Sequence, residues 1–168
     1  TRYISVTGVQ TCALPICNQY GQLGLGNQTY YSSPKQVGAL TNWLSVACGE
    51  YFNLALKTNG TLWSWGSNAF GGLGLSNTYN YSSPMQVGAL TTRSSAFNGN
   101  YHSVAIKTDG TLWSWGYNYY GNLGLGNTTY YSSPKQVGAL TTWSLIMGAG
   151  NSTFAIKIGR AQSELQSH

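Results

Sequence analysis

Hydrophobic residues in this chain come in short runs, each broken by glycine, asparagine or threonine, and the long Ala, Glu, Lys and Leu stretches that build helices are missing. The pattern is one of strands. Asn59-Gly60 and Asp109-Gly110 each lie between two such runs, and a dipeptide of this kind is a strong local signal for a hairpin. It predicts strands over 53–57 and 61–65, and again over 103–107 and 111–115, joined by two-residue turns with positive φ at both central residues. On the second strand Thr61, Trp63 and Trp65 share one face, and Leu62 and Ser64 the other. Both faces are largely apolar. That suits a sheet covered by neighbours on both sides, with Trp63, Trp65, Trp113 and Trp115 as packing residues interdigitating with small residues such as Ala55 across the contact. Residues 44–48 read as a third strand and 35–37, just after Pro34, as a fourth, since proline favours a strand start or an edge.

The pattern repeats. A shift of 50 residues superimposes Tyr-Ser-Ser-Pro at 31–34, 81–84 and 131–134, and Thr-Leu-Trp-Ser-Trp-Gly at 61–66 and 111–116. It also superimposes the Asn-x-x-Gly-x-Leu-Gly-Leu segments that begin at Asn18, Asn68 and Asn118. A period of this length marks a solenoid, a propeller or an array. The repeats run over 18–67, 68–117 and 118–157, about 2.8 copies.

The two ends fall outside the period. If Ala13-Leu14-Pro15-Ile16 is encoded GCT CTT CCG ATC, the opposite strand, read one base in, encodes Ile158-Gly159-Arg160. Residues 6–10 and 163–167 show the same relation. The ends therefore read as one oligonucleotide translated in both directions, resembling a sequencing-library adapter, and 1–16 and 158–168 are set aside as scars.

Composition narrows the field further. Charged residues make up only 7% of the 168, against roughly 25% in an average domain. No apolar run approaches the roughly 18 residues of a membrane span. Without the two ends, six basic and two acidic residues remain, a net charge of +4. Cys12 falls in the suspect leader and Cys17 at its junction, so only Cys48 is left and no disulfide framework is expected.

Four short strands per 50 residues, with glycine-rich connections, describe a β-propeller blade. The run Thr-Leu-Trp-Ser-Trp-Gly-x-Asn-x-x-Gly-x-Leu-Gly-Leu-Gly, the following Pro-x-Gln-Val and the segment 99–110 together resemble the repeat of the regulator of chromosome condensation family. The resemblance covers nearly all of 17–157. It implies an all-β, seven-bladed propeller of about 350 residues, of which this chain supplies an open part that needs further repeats of a parent chain to close. It also implies that His102 packs within its blade. The charge-poor, near-identical copies look like the bacterial and phage-type members.

Little here suggests catalysis. His102 has Phe52 and Ser152 at its equivalent positions and no partner for a metal or a nucleophile. Asp109 serves its turn and Glu50 has no second carboxylate beside it. The glycine-rich segments lack the Gly-Lys-Ser/Thr end of a phosphate loop, Gly60 and Gly110 are turn residues, and no cofactor is expected. Binding is favoured instead. The loops after each Trp-Ser-Trp-Gly strand are rich in Tyr, Asn, Ser and Gly, which offer large contact area at low entropic cost. Positions that differ between copies, namely Gln19, Tyr20, Phe70, Tyr79, Tyr119 and Tyr120, are the candidate contacts for a protein or glycan partner, whereas Tyr31, Tyr81 and Tyr131, repeated in every copy, read as packing residues. The recurring lysines at 57, 107 and 157 read as solubility devices, so nucleic acid is not the expected partner. These features point to a non-catalytic recognition or adhesion module of a secreted, cell-surface or virion protein. The alternatives are a guanine-nucleotide exchange factor or chromatin adaptor, and an inhibitor of a secreted enzyme.

Overall fold

The computed structural model describes residues 17–39, 41–89 and 92–157, and the adapter-like ends lie outside the described residues. Among the described residues ten strands follow in order and every pair is antiparallel. The first sheet is a meander of β1 (Trp43–Cys48), β2 (Phe52–Lys57), β3 (Leu62–Gly66) and β4 (Tyr81–Gln86). The second repeats it with β5 (Arg93–Asn98), β6 (His102–Lys107), β7 (Leu112–Gly116) and β8 (Tyr131–Gln136), and the third sheet has β9 (Trp143–Ala149) and β10 (Ser152–Lys157). β5 contacts β1 and β2 on one side and β9 on the other, which puts the first strand of each blade on the inner side of the array. The chain is all-β, a partial propeller.

The hairpins form where the sequence places them, but their turns differ from expectation. Lys57 N–H donates to Thr61 O and Gly60 N–H donates to Lys57 O, so the loop has three residues, Thr58, Asn59 and Gly60. Gly60 and Gly110 have φ of 76° each, and Asn59 and Asp109 do not share the positive region. A three-residue loop ending in a left-handed glycine needs only one such residue. The side chains of Asn59 and Asp109 brace the loop in another way, because each accepts from the backbone N–H and hydroxyl of the threonine two residues on.

The fourth strand also differs. Residues 35–37 form no strand, while the equivalent segments form β4 and β8, starting at the tyrosine and running through Pro84 and Pro134. β4 pairs only with β3, and its register shifts between Ser64 and Gly66, which leaves Pro84 without a ladder partner. An edge strand tolerates proline at such an irregularity. The strand that would pair with 35–37 corresponds, by the 50-residue shift, to 12–16, outside the described residues.

The first and second sheets each have an aliphatic face and a tryptophan face, and the two kinds of face meet between them. Leu54, Leu56 and Leu62 of the first sheet, with Val87 just past β4, pack with Ala105 and Trp115 of the second. Val104, Ile106 and Leu112 of the second pack with Ile146 of the third. The small residues expected across from the tryptophans lie instead beside them: Ala55 is the cross-strand neighbour of Trp63 on the same sheet, as Ala105 is of Trp113. A period of two puts directly paired residues on one face, so the alanines make room within the sheet and the leucines fill the contact. Cys48 is disulfide-bonded, which corrects the expectation that the cysteines form no bridge.

Candidate binding surface

The loops that begin at Asn18 and Asn68 each clasp the blade that follows. In the first such loop Gln22 O accepts from the Asn53 side chain at 2.7 Å and from the Trp65 indole at 3.0 Å. In the second, Gly72 O accepts from the Ser103 hydroxyl at 2.7 Å and the Trp115 indole at 2.9 Å. Gly24 and Gly74, with φ of 72° and 71°, let the loop close on these rings, for a Cβ there would stand 2.8 and 2.6 Å from the indole nitrogens. The loops are held from within by buried asparagines: the Asn68 side chain accepts from Leu73 N–H at 2.9 Å and donates to Asn77 O at 2.9 Å. Asn18 and Asn118 do the same for Leu23 and Leu123.

This anchoring brings varied side chains to one end of the blades, the end of the β1–β2 and β5–β6 turns. Phe70 lies 5.3 Å from Tyr101, 5.2 Å from Tyr117 and 5.9 Å from Tyr130, in edge-to-face geometry. Tyr117 in turn meets Tyr119 at 6.4 Å and Tyr120 at 6.1 Å. Tyr119 and Tyr120 stand outermost, 62% and 68% exposed. A second pair, Tyr20 and Tyr51, lies 5.4 Å apart on the other side of Glu50. The hydroxyls of Tyr51 and Tyr101 hydrogen-bond the Glu50 carboxylate. That bond is the main reason the Tyr101 hydroxyl is pushed up to about 12, and the Tyr51 hydroxyl is raised for the same reason. Loss of water raises Tyr117, with Tyr130 adding to it.

Of the candidate contacts, Phe70, Tyr119 and Tyr120 thus fall in one cluster, and Tyr20 lies with Tyr51. Gln19 is exposed beside Tyr20. Tyr79 is 74% exposed and makes none of these ring contacts, so the structure does not bring it into the cluster. Tyr51, Tyr101 and Glu50 were not legible as partners, because all three lie in the short connections between strands and only the stacking of blades sets them side by side. Tyr31 and Tyr81 hydroxyls accept from Asn27 and Asn77, and Tyr131 packs on the inter-blade core. His102 is fully buried, its Nε2 2.6 Å from the Thr153 hydroxyl in the next blade, and burial lowers its pKa to about 4.

At the opposite end, Lys57 and Lys107 are not free surface charges. Their ammonium groups sit 3.8 and 3.9 Å from the ring centres of Trp63 and Trp113. Among the described residues no cluster of three metal-ligating side chains occurs, and no helix is long and apolar enough to cross a membrane.

Blades of this form, clasped in series and carrying a ring-lined end, define a propeller of the repeat-built kind. The repeat profile of the regulator of chromosome condensation (RCC1) matches 17–56, 59–106 and 109–156, and the chain belongs to that family. Similar solved structures include Prp20p from Saccharomyces cerevisiae, described with its binding to Gsp1p and histones (23% identity, TM-score 0.70, 85% of this chain and 39% of that one). Yeast RCC1 (Prp20) bound to Kap60 is similar at 23% identity and TM-score 0.73, over 86% and 38% of the two chains. Human WBSCR16 is 26% identical, with TM-score 0.63, over 71% and 32%. Protein pim1 of Schizosaccharomyces pombe is 45% identical over 42 residues, 25% of this chain and 8% of that protein. The chain thus spans well under half of each of these relatives.

Proposed function

We propose that the chain is part of a non-catalytic recognition module that binds a protein through the ring cluster around Phe70, Tyr117, Tyr119 and Tyr120. The observation that carries this reading is the outward position of Tyr119 and Tyr120 on a bed of packed rings. Rings held in place by other rings lose little freedom on binding, which is how aromatic side chains become the energetic centres of interfaces. The titratable groups serve the fold, since Glu50 holds two tyrosines, Asp109 its turn and His102 a blade contact. The charge-poor, Tyr- and Asn-rich surface supports a place on a secreted, cell-surface or virion protein. The likeness to Prp20p favours the second reading, an exchange factor or chromatin adaptor.

A random-peptide phage library panned on the immobilised chain tests the first reading. Peptides that bind are expected to lose roughly 30-fold in affinity on the variant carrying both Tyr119→Ala and Tyr120→Ala, the effect of about 2 kcal/mol at an aromatic hot spot. Tyr79→Ala should leave them bound. Undiminished binding to the double variant, with an unchanged melting curve, overturns the assignment. Direct binding of Gsp1p or histones by calorimetry would instead favour the second reading.

A further inference from the structure

Glu50 stands at a repeat position that differs in every copy, with Asn100 and Gly150 in its place in the other two. The three turns are joined in series, because Glu50 N–H donates to Asn100 O at 3.1 Å and Asn100 N–H to Gly150 O at 2.8 Å. Of the three, only the first carries a charge.

Rings flank that charge on both sides. Tyr20 and Tyr51 form a corner, with centres 5.4 Å apart and planes at 70°, and Phe70 and Tyr101 repeat it one blade on, at 5.3 Å and 68°. In the third copy Asn151 takes the place of the second ring. The hydroxyls of Tyr51 and Tyr101, one from each corner, donate to the Glu50 carboxylate, and both are raised by that bond, so they stay donors at neutral pH. The Glu50 side chain is nevertheless exposed. A carboxylate offers about four lone pairs, so two tyrosine bonds leave about two for an incoming pair of donors.

The chain supplies no cation to take them. Among the described residues, the loops 18–30, 67–80 and 117–130 and the turns 49–51 and 99–101 contain no lysine or arginine, and Glu50 is their one acid. Lys57, Lys107 and Lys157 close β2, β6 and β10, and Arg93 opens β5, at the opposite end. In a chain of net charge +5 the ring-lined end thus presents a lone negative charge set among aromatic faces, which is complementary to a cation.

We infer that Glu50 is the seat for an arginine side chain of the protein partner, its guanidinium paired edge-on with the carboxylate and its flat faces against the flanking rings. A guanidinium presents two parallel N–H donors to a carboxylate and stacks on aromatic rings, whereas an ammonium offers only a point charge. This deepens the function proposed above and rests on it, since it takes the ring-lined end as the surface that meets a protein.

The test is a titration of the whole chain with N-acetyl-arginine amide, followed by the amide signals of Tyr51 and Tyr101 in nuclear magnetic resonance. The probe should move both signals saturably in the millimolar range, and N-acetyl-citrulline amide, which has nearly the same shape and no charge, should not. Glu50→Gln, which keeps an oxygen for the tyrosines, should weaken binding at least about fivefold. If that variant does not fold, Tyr20→Leu, which removes one ring face, should weaken binding about threefold. Equal shifts with arginine and citrulline, equally tight binding of N-acetyl-lysine amide, no saturation, or undiminished binding by both folded variants overturns the proposal. A failed titration leaves the panned peptides and their dependence on Tyr119 and Tyr120 as they were. A saturable one, beside peptides indifferent to Tyr119 and Tyr120, would keep the arginine seat and overturn the larger ring surface.

Discussion

At the scale of single residues, burial decides roles that residue type leaves open. His102 is the clearest case. Fully buried and bonded through Nε2 to Thr153, its ring titrates near 4 rather than 6.5 because the charged form is kept from water. A base whose folded pKa lies below its unfolded one binds fewer protons folded than unfolded in the interval between them. Its contribution to stability is thus present in full above pH 6.5 and lost as the pH falls toward 4, an effect on the order of 3 kcal/mol. Phe52 fills the equivalent place in the first blade, buried and without a charge to protonate. Urea denaturation of the His102→Phe variant should therefore show a flatter dependence between pH 4 and 6.5 than the parent chain, and parallel curves would mean that the histidine is not the group responsible. The sequence shows that a histidine, a phenylalanine and a serine share one repeat position. It does not show that the ring is sealed between blades, because that depends on Thr153, which lies 51 residues away.

At the scale of elements, the unit that holds the array together is a strand plus the loop reaching over it from the preceding blade. Trp115 unites the two: its ring lies in the core with Leu54, Leu56 and Leu62, and its indole N–H donates to Gly72 O. Trp115→Ala should cost about 3 to 5 kcal/mol by chemical denaturation, the range for emptying a large buried ring. Trp113, half-buried beneath Lys107 on the same face, should cost less, and the reverse order would mean that Trp113 rather than Trp115 is the ring sealed between the blades. Here much was legible in the sequence. The Asn-Gly and Asp-Gly signals located both hairpins and the 50-residue shift located every loop. What escaped was whatever depends on a neighbour. The start of β4 at Tyr81, ahead of Pro84, follows from the edge position and the shifted ladder beside it. The meeting of Tyr51, Glu50 and Tyr101 needs the β1–β2 and β5–β6 turns of successive blades side by side, and one of their contacts, Glu50 N–H to Asn100 O at 3.1 Å, joins those turns directly. No local pattern carries that information.

For the whole molecule, stability in a stacked array depends on each unit and on the faces it shares with its neighbours. The three sheets differ in this respect. The second has both faces covered, one by the leucines of the first sheet and the other by Ile146 of the third. The third leaves Leu145, Met147, Phe154 and Ile156 about half exposed or more, on strands that are otherwise well formed. Amide exchange through local opening reads such differences directly, since an opening that uncovers little apolar surface costs little. Amides of Val104, Ala105 and Trp115 in β6 and β7 should exchange at least about a hundredfold more slowly than those of Phe154 and Ile156 in β10, when measured well below the denaturation midpoint. The gap should narrow if a variant such as Trp115→Ala loosens the contact between the first and second sheets. Uniform protection across β6, β7 and β10 would make the three sheets a single cooperative unit. The clasping loops would then contribute more to coupling than the apolar faces they hold in place.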